Sequence, residues 1–497
     1  MRMKKILALG ITVIIALSSI AGCSSNKDTN GTDTNTSTSK EPVKLSFSAA
    51  DNTFGISTDP DLQKAVTRML EEKVDVTLTT IIPPVANYSE KVETMISSND
   101  IPDVVSLSQV MTKLPNYVSR GKLMKLDDYI SGSEVLSAIP EDNYSILEVD
   151  GSIYHVPYNQ PRVKVLFMRK DIMEEYDINL SHTPTTEEFI TELSKLAGTG
   201  IIPFSFPKWI DNFQYFMNSY GAYAGIYKNE DGLYVDGFQE PEMVEALEYL
   251  CRLYNEGIID QEFITTENAT MRENVYTRNA ASAIDYVTNY TNYLSQSEAA
   301  DAYSDVFPIY AVIGPNGQGG GLNEAIQTAF AISADCKNPE EAIKLIETLV
   351  CDAEAYTAFF SLGIEGEHYT LDENNLVVPT DKATNSGYTP KYTYLYESFI
   401  KDFSDVKVMP PADIEASLDV QNEMIDLAQQ NKGPKYVVPS GISDSHDQVA
   451  SSITSTWQEV VSQVVLGTIT VEKGMENYRN FWNSIEGDTI LKELNGQ

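Results

Sequence analysis

Cysteine, histidine and tryptophan are scarce in this chain of 497 residues, which carries four Cys, four His and three Trp. Beyond Cys23, only Cys251, Cys336 and Cys351 remain, an odd number without zinc-ligand spacing. Cys251 falls among Leu250 and Leu253 on an apparent helix, and Cys336 and Cys351 bracket another helix long enough to hold their Cα atoms apart. No disulfide is expected. His155, His182, His368 and His446 form no His-x-x-x-His pair, and no Gly-x-Ser-x-Gly elbow occurs, so the zinc-protease and serine-hydrolase signatures are missing. Positive charge is short as well: 35 Lys and Arg face 72 Asp and Glu, a formal net charge of −37. Such a chain repels phosphate backbones, which argues against nucleic acid as a partner. An anionic polysaccharide is disfavoured on the same ground unless a local basic pocket overturns it. With so many acids, a glycosidase-like carboxylate pair carries no information.

Long apolar runs are also missing. The longest, Ile6 to Leu17, is preceded by Arg2, Lys4 and Lys5 and followed by Ser18, Ser19, Ala21 and Gly22. Basic, apolar, then small is the order of a secretory signal, and a dozen apolar residues fall short of the ~20 needed to span a bilayer. Leu-Ser-Ser-Ile-Ala-Gly-Cys resembles a bacterial lipobox, which implies cleavage before Cys23 and acylation of its thiol. Cleavage there removes three basic and no acidic residues, taking the net charge to −40. Ser24 to Glu41 has almost nothing to bury and reads as a tether. At ~5–6 Å × √n its 18 residues span about 20–25 Å. Within it, Asn26, Asp28, Asn30 and Gly31 imitate a calcium loop, but Ser37 stands where the bidentate Glu belongs.

About 455 residues remain, more than one ordinary core, so two lobes are expected. Val43, Leu45 and Phe47 alternate as a strand; Asp59-Pro60 caps a helix with Leu62, Ala65, Val66, Met69 and Leu70 on one face. A strand at Val74, Val76 and Leu78, a helix from Tyr88 to Ser97 and a strand at Val104-Val105 complete β-α-β-α-β, the pattern of an α/β lobe with a mostly parallel sheet. Ligands of such sheets lie beyond the carboxyl ends of strands, which puts Asp51, Asn52 and Thr53 at a site rim. Later, Val163, Val165 and Phe167 alternate into a strand, and Thr185 with Glu188 forms a capping box. The helix from Pro241 buries Val244, Leu247, Cys251 and Tyr254, and the helix from Pro339 buries Ile343, Leu345, Ile346 and Leu349. Gly314 to Gly321 lacks the Lys-Ser/Thr of a phosphate cradle and reads as a flexible surface loop.

Tyrosine, at 28, outnumbers phenylalanine, at 17, so many rings carry a hydroxyl that wants water or a partner. A sugar site needs flat rings for C–H faces and planar polar groups for paired hydroxyls. Trp209, Asp211, Asn212 and Tyr215 crowd into seven residues; Asp285 and Tyr286 end a strand from Ala280; Tyr290 and Tyr293 read as surface. Tyr388, Tyr392, Tyr394 and Tyr396 form a third cluster, of which Tyr392 is the candidate contact. Tyr158 and Arg162 fall at the expected first crossing between lobes. Glu365 and His368 share Glu-Gly-Glu-His, and His368 is either polar lining or packed.

The segments DGSIYHVPY, RKDIMEEYDINLSHTPTTEEF, EALEYLCRLYNEGIIDQEF, CKNPEEAIKLIETL and GIEGEHYTLDEN together resemble the extracellular solute-binding proteins of family 1 that serve ABC importers, in their large Gram-positive lipoprotein branch. Gly200-Ile201-Ile202-Pro203 and PNGQGGG depart from the usual pattern. The resemblance implies a two-lobe, type II clamshell whose hinge crossings split each lobe into discontinuous segments: 43–160 with about 306–352, and about 161–305 with 353–497. It implies a monomer that binds an oligosaccharide, breaks no bond, needs no cofactor or metal, is lipid-anchored at Cys23 outside the cell membrane, and feeds ABC permease subunits. The expected ligand contacts are Asp51, Asn52, Tyr158, Arg162, Trp209, Asp211, Tyr215, Asp285, Tyr286, Glu365 and Tyr392. A peptide or other polar metabolite as cargo, and an exported carbohydrate-active enzyme or sensor, stand as alternatives.

Overall fold

A computed structural model describes residues 42–497 apart from 52–57, 146, 150, 161, 230, 300–304, 321, 324–327, 401–402, 404–405, 407 and 409–443. The signal segment 1–22, Cys23, the tether to Glu41, Asn52 and Thr53 lie outside the described residues. Among those described, no helix is long and apolar enough to cross a membrane.

The chain starts with β1 (Val43–Ser48), whose Leu45 and Phe47 point into the core. The helix Pro60–Val74 begins as its sequence dictates: Asp59 Oδ1 accepts from the amides of Asp61 and Leu62 at 2.8 and 3.3 Å, and proline occupies the first turn. Its buried face is Leu62, Ala65, Val66, Leu70 and Val74, and it ends on Asp75 in the left-handed region. Strand β2 (Val76–Ile81), the helix Tyr88–Ser98 and β3 (Val104–Ser106) follow, with β2 and β3 both parallel to β1. The chain then leaves through β4 (Val156–Pro157) and enters a second sheet with β5 (Val163–Arg169).

That second sheet is built on β5, which is buried along its whole length because strands flank it on both edges. A hairpin of β6 (Ile226–Lys228) and β7 (Tyr234–Asp236) lies apart from it. Strand β8 (Ser282–Tyr286) pairs one edge of β5, while β9 (Val306–Ile309) and β10 (Leu322–Asn323) pair the other. The return strand β11 (Ala329–Ile332) then inserts between β3 and β4, giving the first sheet the order β2-β1-β3-β11-β4.

Both sheets are mixed rather than mostly parallel. Strand β11 runs antiparallel to β3 and β4, and β8, β9 and β10 all run antiparallel to β5. The cause is the crossing itself. Strands β4 and β11 carry the chain out of and back into the first lobe, so neighbours there must point in opposite directions.

The pairing also moves the expected lobe boundaries. Residues 306–323 belong to the second sheet, since β9 and β10 pair β5. Past the helix Pro339–Cys351, Ala355, Tyr356, Phe359 and Phe360 still pack in the first-lobe core with Phe47, Val156 and Phe330. The second lobe gains the helices Asp444–Val465, Val471–Ser484 and Gly487–Leu494, whose Trp457, Val461, Tyr478 and Trp482 join Phe216, Leu250 and Leu253. Those helices widen the covered face of Pro241–Asn255. Met243, Ala246, Leu250 and Leu253 are therefore buried with Leu247, while Val244, Cys251 and Tyr254 are half-buried. Helix Pro339–Cys351 buries Ile343, Leu345, Ile346 and Leu349 as its spacing predicts. All three described cysteines are free.

The glycine-rich stretch is a packed turn. The Gly314 amide donates to the Gln318 carbonyl at 2.7 Å, and a Cβ at Gly314 would stand 1.6 Å from the Ser219 carbonyl oxygen. Among its described residues, only 315–318 are exposed.

Candidate ligand-binding site at the lobe crossing

The first crossing is tied down by one carboxylate. Glu397, 8 % exposed, ends the short helix Thr393–Glu397 and accepts from Arg162 Nε at 3.1 Å and Nη2 at 3.2 Å, and from Asn159 Nδ2 at 3.2 Å. Gln160 adds a backbone bond to the Glu397 carbonyl, and its side chain donates to the Ser398 carbonyl. Tyr356 closes the knot by donating to Asn159 Oδ1 at 3.1 Å and to the Tyr394 carbonyl at 2.9 Å. Asn159, Gln160 and Arg162 are thus fastened to a segment 235 or more residues away, and Arg162 is held with 40 % of its side chain exposed.

Arg162 reaches into the second lobe as well. Its guanidinium carbon lies 5.6 Å from the centroid of the Tyr286 ring, and Lys164 Nζ lies 4.6 Å from the same ring. Lys164 is nearly buried and donates to Asn212 Oδ1 at 3.0 Å. Asn212 belongs to the turn Ile210–Phe213, and Trp209, immediately before that turn, is 50 % exposed. Lys208 lies 5.8 Å from the Trp209 ring and pairs with Glu267. Asp211, in the same turn, is exposed.

On the first-lobe side, Lys391 Nζ lies 5.5 Å from the Tyr394 ring. Burial pushes the Lys391 ammonium down, and the charge of Asp51 opposes that fall. Asp51 is half-buried just past β1, where the sequence places a site rim, and its Oδ1 accepts from the Val85 amide at 2.9 Å. Tyr392 is half-buried against Tyr369 and Tyr388, and burial pushes its phenol up to about 12. Glu365 is exposed, three residues before a buried His368. The latter is packed rather than lining: its Nδ1 accepts from the Ile364 amide at 3.1 Å.

Three expected contacts are corrected. Tyr158 is 1 % exposed, its ring tilted 4.7 Å from Phe330 and stacked 5.0 Å from Phe360, so it packs the first-lobe core. Tyr215 is fully buried and donates to the Ile309 carbonyl at 2.9 Å. Asp285 is buried and saturated. It accepts from Arg272 Nε and Nη2 at 2.6 and 2.9 Å, the Tyr286 amide and Asn289 Nδ2 at 2.9 Å each, and the Tyr293 hydroxyl at 3.2 Å. That network also overturns the surface reading of Tyr290 and Tyr293, which are buried on β5 through Phe167.

The structure brings Arg162 and Tyr286 together and sets Lys391 within reach of the charge of Asp51. Sequence reasoning missed Lys164, Arg272, Lys391 and Glu397. Lys164 had a signal: one lysine inside Val163-Lys164-Val165-Leu166-Phe167, a stretch of five otherwise apolar residues. The other three had none, because the charges they face, Asp285 for Arg272, Asp51 for Lys391 and Arg162 for Glu397, lie 13 or more residues away. Among the described residues, no group of His, Cys, Asp and Glu is arranged to hold a metal ion.

Two lobes with mixed sheets, joined by crossing strands, are the architecture of solute-binding proteins. The chain belongs to the bacterial extracellular solute-binding protein family, whose model matches residues 56–355. That is a family of binding proteins rather than enzymes. Over its full length the chain is similar to lipoprotein LipO of Bacillus subtilis (strain 168), at 22 % identity across 99 % of this chain and 97 % of that one. It is also 22 % identical to the polygalacturonan/rhamnogalacturonan-binding protein YtcQ of the same strain, over 97 % of this chain and 96 % of YtcQ. Among solved structures it is similar to the alginate-binding protein AlgQ2, with a TM-score of 0.61 at 18 % identity, covering 92 % of this chain and 98 % of AlgQ2.

Proposed function

We propose that the protein is the monomeric, lipid-anchored receptor of an ABC importer, capturing an oligosaccharide between its lobes and handing it to permease subunits in the membrane. The observation that carries the sugar is Trp209. A half-exposed indole is costly to leave in water unless something covers it, and this one flanks the turn whose Asn212 meets Lys164 and, through it, Tyr286. Trp209 and Tyr286 supply flat faces for sugar C–H groups. Asp51, Asp211, Arg162 and Glu365 supply planar hydrogen-bonding groups for hydroxyls, and Asn52 and Tyr392 complete the set of contacts expected from the sequence. The names of YtcQ and AlgQ2, both binders of polysaccharides, support the same class of cargo.

Binding is a change of population: a ligand touching both lobes favours the closed form, which a permease then distinguishes. The Cys23 anchor is supported by the lipobox and by the likeness to LipO, a lipoprotein. Two acyl chains are required, since one gives only marginal, reversible attachment.

Isothermal titration calorimetry against oligosaccharides and peptides tests the cargo. One saturable class of oligosaccharide is expected, and a response to peptides alone overturns the assignment. Fractionation of cells carrying Cys23→Ser tests the anchor: release into the medium is expected, and retention in the membrane refutes it.

A further inference from the structure

Strand β5 carries one charged side chain on the face it turns to the second-lobe core, and that is Lys164. In the sheet register Leu166 stands opposite Ile284 on β8, and Lys164 opposite Tyr286. Leu166 and Ile284 are core residues; one step toward the crossing, Lys164 and Tyr286 share their face. From there the lysine reaches two elements at once: Nζ lies 4.6 Å from the centroid of the Tyr286 ring and donates to Asn212 Oδ1 at 3.0 Å. We propose that Lys164 is a positioning residue, which sets the turn carrying Trp209 against the Tyr286 ring and so fixes the spacing of the two flat faces offered to a sugar. The inference rests on the oligosaccharide reading above and adds to it a residue that acts through others.

The build of the turn Ile210–Phe213 shows why it needs such a tie. Ile210 and Phe213 anchor its inner side in the second-lobe core, where Phe213 stacks 4.1 Å from Phe206. Burial of apolar groups has no direction, so these anchors hold the turn down without setting its rotation. Trp209 occupies the cap position, and its side chain bonds none of the turn's amides, as a Ser, Thr, Asp or Asn there would. What remains is Asn212, a buried polar side chain whose amide closes the turn on the Trp209 carbonyl at 3.1 Å. A hydrogen bond from an ammonium to its Oδ1 is strong and directional, so it fixes how the turn sits and where the indole points. The same ammonium holds the Tyr286 ring by its π face. Taking an ammonium out of water is expensive, and a methionine of similar length would fill this apolar strand at less cost. Only the lysine can bind both elements from one atom.

Calorimetry of the full chain with xylotriose, maltotriose, mannotriose and trigalacturonate, the tightest binder then serving as probe, tests this in a double-mutant cycle. Lys164→Met should weaken binding about tenfold, the value of one charged hydrogen bond. In a Trp209→Ala background the same change should weaken it about twofold or less, because only Tyr286 is left to misplace. Lys164→Arg, which keeps a cation and a donor, should stay within about threefold of the parent. Urea melts of these chains separate placement from folding, since a purely structural lysine loses the same stability and the same affinity with or without the indole. If Lys164→Met does not fold, Asn212→Ala removes the same bond from the acceptor side and runs the same cycle. Full affinity in Lys164→Met, an equal loss in both backgrounds, or no rescue by Lys164→Arg overturns the positioning role and leaves the oligosaccharide reading standing. Silence of the parent chain toward every sugar overturns both.

Discussion

Two arginine–carboxylate pairs, Arg272–Asp285 in the second lobe and Arg162–Glu397 at the crossing, have similar geometry and opposite surroundings. In the first pair the carboxylate is 3 % exposed and accepts five hydrogen bonds from four residues, Arg272, Tyr286, Asn289 and Tyr293, within one lobe. In the second, the carboxylate is buried but its arginine faces outward and touches the ring of Tyr286 from the other lobe. A saturated pair stabilises its own lobe and has nothing left for a ligand. A pair that leaves its cation half-exposed can position that cation for one.

The largest effect expected from this contrast is Asp285→Ala. Removing the carboxylate leaves Arg272 and the Tyr293 hydroxyl without their partner, which should lower stability by about 3 kcal/mol in urea melts. A loss below about 1 kcal/mol would mean that the second lobe repacks without it.

A charge-free counterpart lies in the first lobe, where His155 is completely buried and neither ring nitrogen has a hydrogen-bond partner. Burial pushes its imidazole from 6.5 down to about 4, a fall the nearby Asn143 backbone softens. The unfolded chain therefore takes up a proton at a higher pH than the folded one. His155 contributes stability that is intact above pH 6.5 and is lost as pH falls toward 4, by about 3 kcal/mol at most. In His155→Phe, the slope of stability against pH in that window should flatten; an unchanged slope removes His155 as its source.

Glu397→Ala should cost less than Asp285→Ala, about 1–2 kcal/mol, because Arg162 can turn to water. Its ligand affinity should fall more than its stability, since Arg162 loses its fixed position. Equal losses would make the crossing pair as purely structural as Arg272–Asp285. The smallest change in stability belongs to Trp209→Ala, within about 0.5 kcal/mol of the parent, with a clear loss of oligosaccharide affinity. A Trp209→Ala variant that melts much earlier would show the indole to be a packing residue.

Local signals translated well into structure. The Asp59 cap, the Thr185–Glu188 capping box and the buried stripe of Pro339–Cys351 each depend on residues within a turn or two of one another. The candidate site was legible only in part. Trp209 and Tyr215 lie on one aromatic stretch, yet one is half-exposed and the other sealed, because only Tyr215 faces the carbonyl of Ile309 on β9. Tyr158 looked like a contact because it begins the crossing, but the return strand sets Phe330 against its ring.

By itself the sequence determined the α/β elements, their caps and the excess of acids, because each is written in neighbouring residues or in composition, while the discontinuous two-lobe plan and the reading of Cys23 followed from resemblance to known proteins. Tertiary structure alone decided the mixed sheets, the assignment of 306–323 and 353–403 to their lobes, and which aromatic rings face outward. Those outcomes depend on pairs such as Arg162 with Glu397, 235 residues apart, and no local pattern specifies a partner at that distance.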